Sequence, residues 1–226
     1  MLGIVVFLYA FSNARNNSRR VSKIDIEFKG DNNLFITHDN VSKLLIQNEQ
    51  PVTSITKEVL VLNDLENALN LNPMIKQAQV FVDVKGTLTA TVEQKKPIAR
   101  VFTNASYYID DNGSFMPLSQ NYSARVPLVT GAIEKNKLEN IFLLAKKIQS
   151  DEFLKTHVVE IHQEQNMELQ LKLRRQGFTV FLGDLKQLDK KINNLKAFYK
   201  KALKDNTLKD YKIVDLKFDN QVICTK

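Results

Sequence analysis

Tryptophan is absent from this chain of 226 residues, and cysteine occurs once, at Cys224. A lone cysteine cannot form an intrachain disulfide, which excludes the small disulfide-stapled folds. Seven glycines and five prolines are too few for a collagen-like repeat or a long disordered tract. Because 43% of the residues are hydrophobic, the chain can bury an ordinary core, and its length suits two small domains or one larger one.

Histidine, the commonest metal ligand, is also scarce, with three copies in the chain. His157 and His162 lie near Glu160 and Glu164 in the sequence. That segment has the pattern of a strand, on which residues an odd number of positions apart point to opposite faces. Since no second cysteine or clustered ligand set accompanies them, we predict that the chain binds no metal.

Sequence motifs for nucleotide binding and for nucleophilic catalysis are missing. The chain has no G-x-x-x-x-G-K, no G-x-G-x-x-G and no G-x-S-x-G pattern. Asp110 and Asp111 are adjacent carboxylates, but they precede Asn112-Gly113 and are typical of a turn that binds its own backbone. We therefore predict a protein that is not an enzyme, with no cofactor and no small-molecule substrate.

The N-terminal apolar run, Leu2–Phe11, is too short to cross a membrane. It has about half of the ~20 residues that a spanning helix needs. The run suits a signal-peptide core, a shortened membrane anchor or a buried strand. Arg15, Arg19 and Arg20 follow in a polar stretch typical of a juxtamembrane linker. We expect residues 1–20 to be a membrane-anchor remnant with its linker.

Charge is plentiful and biased, with a formal net charge of +7 and a pI near 9.3. Such a balance suits an acidic partner, a nucleic acid, an anionic membrane or a merely lysine-rich solvated surface. A predicted helix near residues 188–203 concentrates lysines on its outer face: Lys190, Lys191, Lys196, Lys200 and Lys201. A nucleic-acid site would add arginine, asparagine or aromatic groups on this basic face, whereas the aromatic residues here are mainly Phe198, on the apolar stripe, and its neighbour Tyr199. We therefore predict a solvated face and no nucleic-acid partner.

Hydrophobic periodicity divides residues 21–97 into five elements. A period of two predicts strands at Ile24–Phe28, Gln77–Lys85 and Thr87–Glu93. Thr37 is a helix cap before an apolar stripe, and a second helix is predicted to start at Asn63, which forms a capping box with Glu66. The order strand, helix, helix, strand, strand resembles the POTRA domain, a module that binds partner chains.

The remaining residues, 98–226, predict a β-rich domain with two covering helices. Asp110–Gly113 lies between apolar flanks and predicts a hairpin. A second hairpin is predicted around Gly177, and a closing strand from about Tyr211 to Cys224, with Asp219-Asn220 as a candidate kink or turn. The helices are expected at Leu138–Ile148 and Leu188–Leu203, which makes the overall fold class α+β.

Several motifs in this order resemble the FtsQ/DivIB family of bacterial cell-division proteins. The family has three motifs in order: Y-x-D-x-x-G, then a proline, then P-x-x-x-G. The segments similar to them are, in the same order, Tyr108–Gly113, Pro117 and Pro127–Gly131. Gly177–Gly183 with the following lysine-rich helix also resembles the family, and Val214–Asn220 is similar to its closing V-D-L-R-Y. The resemblance covers nearly the whole chain from about residue 21.

This resemblance implies a scaffold of the divisome, anchored in the inner membrane at the division site, with most of the chain in the periplasm. It implies residues 21–97 as a POTRA domain and residues 98–226 as the FtsQ-type β domain, whose partners are FtsB/FtsL-type proteins. The closing motif maps the partner-binding residues onto Lys217, Phe218 and Asn220. Gln221 stands where relatives often have glycine.

The mechanism that these residues predict is β-augmentation, in which a partner strand completes the free N–H and C=O groups of a terminal edge strand. Lys217 would contact a partner carboxylate and Phe218 would supply an aromatic anchor. An alternative function is a POTRA-containing accessory for polypeptide transport or outer-membrane assembly. Such a transporter would continue with amphipathic barrel strands, whereas this chain continues with a compact β domain.

Overall fold

A computed structural model describes residues 3–9, 21–31, 33–46, 61–103, 105–134, 136–218 and 221–226. These residues form two compact units. Unit 1 extends to Lys95 and also includes Ser119–Ser123, and unit 2 comprises Lys96–Leu118 and Ala124–Lys226. The domain assignments 1–20, 21–97 and 98–226 stay predictions of family architecture.

Unit 1 contains the strand, helix, helix, strand, strand order that periodicity predicts. Residues 3–9 are helical (α1), followed by β1 (Lys23–Lys29), α2 (His38–Ile46), α3 (Leu62–Asn70), β2 (Ile75–Val82) and β3 (Thr87–Gln94). The sheet order is β1-β3-β2, with β1 parallel and β2 antiparallel to β3. Both helices bury an apolar stripe with the sheet, including Val41, Leu69 and Leu88.

The predicted helix starts in unit 1 are right at one helix and wrong at the other. The Asn40 N–H donates to Thr37 Oγ1 at 3.3 Å, so the Thr37 cap is confirmed. The capping box of Asn63 and Glu66 is wrong, because α3 begins one residue earlier and has no side-chain cap. Glu66 Oε2 instead accepts from the Val80 N–H of β2, at 3.1 Å.

In the part of unit 2 that the structure describes, nine strands form one mixed sheet. Its elements are β4 (Pro97–Val101), β5 (Tyr107–Asp110), β6 (Phe115–Met116), β7 (Leu128–Gly131), α4 (Glu139–Ser150), α5 (Glu152–His157), β8 (Val158–Gln163), β9 (Leu169–Leu173), β10 (Thr179–Gly183), α6 (Leu188–Lys204), a 3-10 turn (Leu208–Asp210), β11 (Ile213–Asp215) and β12 (Ile223–Thr225). The strands lie in the order β12-β11-β10-β9-β8-β7-β4-β5-β6.

The helices of unit 2 pack with one face of this sheet into a single core. Ile141 and Leu144 of α4, and Ile192 and Leu195 of α6, are buried together with alternate strand residues such as Val180. Burying alternate residues is the expected result of strands that are apolar on one side. The predicted α+β class and both predicted hairpins are confirmed, since β5 pairs with β6 and β9 with β10.

The structure changes two expectations about unit 2. The described residues contain three α-helices in this unit rather than two, because α5 follows α4 directly. The closing strand is not continuous either: β11 ends at Asp215, and β12 returns antiparallel to it, so of the two alternatives for this segment the turned one applies. The Asp215 carboxylate accepts from the Lys217 N–H at 2.8 Å, which bends the chain out of the strand.

The predicted membrane-anchor remnant lies partly outside the described residues, which include only 3–9 of its first twenty positions. Among the helices that the structure describes, none combines the length and the hydrophobicity needed to span a bilayer.

Candidate functional site: the terminal sheet edge

The terminal sheet edge, residues 213–226, consists of β11, its connection to β12, and β12 itself. β11 pairs in parallel with β10 on one side and antiparallel with β12 on the other. β12 is the outermost strand in that direction, and within the described part of the chain no strand pairs with its outer side. The prediction of a closing segment at a sheet margin therefore holds for β12 but not for β11.

A crossover helix places this edge. Because β10 and β11 are parallel, the chain must cross from the end of β10 back to the edge of the sheet where both strands begin, and α6 makes that crossover. Phe198 of α6 packs edge-to-face on Phe178 and Tyr211, with ring centroids 5.9 and 5.2 Å away. These aromatic contacts hold the segment leading into β11 against the helix.

The backbone N–H and C=O of Cys224 lie on the outer edge of β12, on the side away from β11. On either side of β11, the Thr179 N–H donates to Lys212 O at 2.9 Å and the Leu216 N–H donates to Phe181 O at 2.8 Å, so the peptide groups of Val214 between them face β10. The odd-numbered positions of β11, Ile213 and Asp215, face β12 and pair there with Thr225 and Ile223. Since successive residues of a strand alternate, the N–H and C=O of Cys224 face outward, where an added strand would bond.

The last residues of the chain are fastened to unit 2 by several contacts. The Lys212 N–H donates to Thr225 O at 2.8 Å. Lys226 Nζ lies 3.9 Å from an Asp210 oxygen and 5.9 Å from the centre of the Tyr211 ring. Burial raises the pKa of the Cys224 thiol, so this side chain is a neutral group packed against the core. The edge is thus held in strand geometry before any partner arrives.

Lys217, a predicted partner-binding residue, already has partners within its own chain. Its Nζ lies 3.6 Å from Glu168 Oε2, and both side chains are more than one-third exposed. Its aliphatic stem lies over Gly183, where an added Cβ would be 2.7 Å from Lys217 Cγ. Glu168, just before β9, and Gly183 of β10 therefore position the ammonium group at the surface, within reach of an approaching carboxylate.

Phe218 follows Lys217 and leaves 48% of its surface exposed. It lies outside the buried core of unit 2, on the connection between β11 and β12. Asn220, the third predicted partner-binding residue, lies outside the described residues. Lys217 and Phe218 are thus neighbours on the segment that follows β11, and the side chain of Lys217 extends across Gly183 of β10 towards Glu168, on the side of β11 away from β12.

Sequence reasoning missed an apolar surface beside this edge. Val214 is fully buried on the helix side, so its neighbours Ile213 and Asp215 face the opposite side of the sheet. In register with them lie Phe181, half-buried, and Ile223, which is 42% exposed. The signal for Ile223 was its β-branched side chain in the closing run, but its exposure depends on β12 being a separate strand.

The prediction that the lysines of α6 form a solvated face is wrong for Lys191, because this side chain is buried. Lys191 Nζ donates to Leu182 O at 2.9 Å, to Asp184 O at 2.7 Å and to Asp184 Oδ1 at 2.9 Å. The hydrogen bond from Lys191 holds the pKa of the Asp184 carboxyl below its usual value, against a smaller opposing effect of burial. This lysine ties the start of α6 to the end of β10, the strand that β11 pairs with.

The acidic residues that sequence reasoning weighed for chemistry have structural contacts. Asp110 Oδ1 accepts from the N–H groups of Asn112 and Ser114, at 3.0 and 2.7 Å, as a turn carboxylate does. His157 ends α5 and His162 lies in β8. No group of three or more potential metal ligands occurs among the residues that the structure describes.

Comparison with known proteins decides the family. Residues 96–225, more than half of the chain and nearly all of unit 2, match the family model described as FtsQ/DivIB, C-terminal related. The chain belongs to the FtsQ/DivIB family. The resemblance predicted from the sequence motifs is therefore confirmed.

Two curated relatives of this FtsQ/DivIB chain are both named "Cell division protein FtsQ". The protein from Geotalea daltonii is 25% identical over 179 residues, covering 74% of this chain and 64% of the relative. The protein from Geobacter sp. (strain M21) is 26% identical over 170 residues, covering 70% and 61%. The chain thus spans less than two thirds of each relative, and family and names place it among cell-division proteins.

Proposed function

We propose that this chain is a non-enzymatic scaffold of the bacterial divisome, and that β12 binds FtsB/FtsL-type division proteins by accepting a strand. The observation that carries the proposal is the outer side of β12, where the peptide N–H and C=O of Cys224 face outward. An edge strand in this state is a template for a partner strand, because main-chain hydrogen bonds form without regard to side chains.

Exposed side chains of β12 and of the segment after β11 supply the specificity that main-chain pairing lacks. Phe218 and Ile223 are each more than two-fifths exposed and offer apolar contact to a partner. Lys217, the residue before Phe218, offers a positive charge, which also forms an ion pair with Glu168 in its own chain. A buried aromatic anchor is where interfaces concentrate their free energy, so Phe218 contributes more than Lys217. Asn220 remains part of the proposed contact.

Unit 1 is proposed to be a POTRA domain, on the strength of its β1-α2-α3-β2-β3 order and its three-stranded sheet. The scaffold is further proposed to lie at the inner membrane of the division site, held through its N-terminal segment, with both units in the periplasm. The family match over residues 96–225 favours this function over a polypeptide-transport accessory.

The experiment is a pull-down from cross-linked cells that tests the main-chain mechanism with one matched pair of variants. Cys224→Pro removes the outward N–H, and Cys224→Ala removes the same thiol but keeps that N–H. Proline is tolerated on edge strands, so pairing with β11 survives. Phe218→Ala and deletion of residues 222–226 complete the set, and circular dichroism checks that each variant is folded.

We expect division proteins to be recovered with wild type and with Cys224→Ala. Recovery should fall at least tenfold with Cys224→Pro and with the deletion, and several-fold with Phe218→Ala. Equal recovery with Cys224→Pro and Cys224→Ala would exclude strand addition at β12. Recovery of transport components in place of division proteins would exclude the divisome role itself.

A further inference from the structure

A groove of about 820 Å³ opens on the helical layer of unit 2, between α4 and the residues that begin α6. Its floor is apolar: Leu143 of α4 is 52% exposed, and Leu185 and Leu188 are half-buried against the core. Water therefore reaches three leucines that line one shallow, open groove. A concave apolar surface of this kind favours an apolar occupant over water.

The rim of the groove is positively charged. Lys146, Lys147 and Lys190 line it together with one carboxylate, Asp189, which leaves a formal charge of +2 from three cations and one anion. Lys147 forms an ion pair with Asp189 that bridges α4 and α6 and braces the groove. Among the described residues, neither Lys146 nor Lys190 has a carboxylate within ion-pair distance; Lys146 Nζ lies 5.5 Å from the centre of the Phe142 ring on its own helix, and both ammonium groups keep their charge available to an anionic partner.

We propose that this groove binds an acidic amphipathic helix of another protein. Two or three apolar side chains on one face of that helix would cover the three leucines, in the helix-in-groove mode. Carboxylates flanking that face would lie beside Lys146 and Lys190. A nucleic acid suits the groove less well, because phosphates need cations without an apolar floor and bases need aromatic or guanidinium faces to stack on.

This surface is separate from the terminal sheet edge. The groove lies on helices, whereas β12 offers main-chain groups at the margin of the sheet. The two surfaces recognise different chemistry, a helix in one case and a strand in the other. The proposed scaffold can therefore hold two partners at once, and the groove proposal does not depend on strand addition at β12.

The test is a binding titration of the full chain with a labelled, designed 18-residue helical peptide, followed by fluorescence anisotropy and amide chemical shifts. The peptide carries leucines at helical spacing on one face and glutamates on both flanks. A scrambled peptide of the same composition is the control for charge alone. On the protein side, Leu143→Asp removes the apolar floor, and Lys146→Glu/Lys190→Glu reverses the rim charge.

Matched control variants make the same changes outside the groove. Leu203→Asp alters an α6 leucine that is 57% exposed, and Lys200→Glu/Lys201→Glu makes the same change in net charge. We expect each groove variant to weaken binding of the amphipathic peptide at least fivefold, and the controls less than twofold. Equal affinity for the scrambled peptide, equal effects of groove and control variants, or shifts that map elsewhere would overturn the proposal.

Discussion

Gly183 positions Lys217 of the candidate site. It ends β10 with φ +70°, in the left-handed region, and the Lys217 stem occupies the space beside it. Any side chain at this position meets both a backbone penalty and Lys217. The orientation of Lys217 towards Glu168 therefore depends on a residue more than thirty positions earlier in the sequence.

Replacing Gly183 with alanine should destabilise the protein by about 1–2 kcal/mol, because alanine resists the left-handed conformation. It should also weaken capture of the proposed division partners, since the added Cβ displaces the Lys217 stem. Urea unfolding and the cross-linked pull-down measure the two effects. Gly177→Ala is the control, because a Cβ there meets nothing within 4 Å. Equal stability of the two variants would contradict the role of Gly183.

Lys191 is the second residue whose surroundings could not be predicted from the sequence. We expect Lys191→Met to lower the free energy of unfolding by about 1–3 kcal/mol, because the buried Leu182 carbonyl loses its donor. Lys190→Met, at an exposed neighbouring position, should change it by less than about 0.5 kcal/mol. Chemical denaturation of both variants checks this, and similar losses for the two would show that the Lys191 bonds contribute nothing.

At the scale of elements, Asp151 joins two helices. Its Oδ1 accepts from the Leu154 N–H at 3.1 Å and caps α5, while Oδ2 accepts from Lys196 Nζ of α6 at 2.5 Å. Burial raises the pKa of Asp151, but the bonds from Lys196 and Leu154 outweigh it and hold the pKa below its usual value. The unprotonated carboxylate thus stabilises the folded chain.

Asp151→Ala should destabilise the protein by about 2 kcal/mol near pH 7, and Asp151→Asn by less, because asparagine keeps the cap and loses only the charge. Because the pKa of Asp151 is lower in the folded chain than in the unfolded chain, its charged carboxylate stabilises the fold above the unfolded pKa of about 3.9. This stabilisation is lost as the pH falls through the folded pKa. Below about pH 4 the wild type should therefore lose more stability than Asp151→Asn. Thermal melts between pH 7 and pH 2 measure this, and parallel pH curves would contradict it.

Elements with a strong local period were predictable, and elements that depend on distant pairing were not. Period-two alternation identified β9 and β10, and helical spacing identified α4 and α6. α5 was missed because its six residues are too few to show a period. The closing run predicts one strand with a candidate kink or turn at Asp219-Asn220, since its apolar residues suit a strand throughout and it contains no glycine.

At the scale of the whole molecule, the sequence indicated two modules and an edge position for the end of the chain. It could not indicate that β12 is the edge, because that depends on β11 pairing in parallel with β10 through the α6 crossover. The outward direction of the Cys224 peptide groups follows from the same pairing. The resemblance supplied Lys217 and Phe218, whereas Ile223 and Phe181 required the strand register.

The net charge of +7 also has a different meaning once the fold is known. Lys191 and Lys196 of the lysine-rich helix are engaged by Asp184 and Asp151 and are not a free basic stripe. The lysines that remain open on the helical layer include two at the rim of the groove. Part of the positive charge of α6 is therefore used in contacts within unit 2.

The most direct test of strand addition is amide hydrogen exchange at β12, residue by residue, with and without the extracytoplasmic segment of an FtsB-type protein from the same organism. Exchange of the Cys224 N–H should slow at least tenfold on binding, because it becomes the donor to the partner strand. The Ile223 and Thr225 amides, already paired with β11, should change less. Tight binding of that segment with unchanged exchange at Cys224 would contradict docking at this edge.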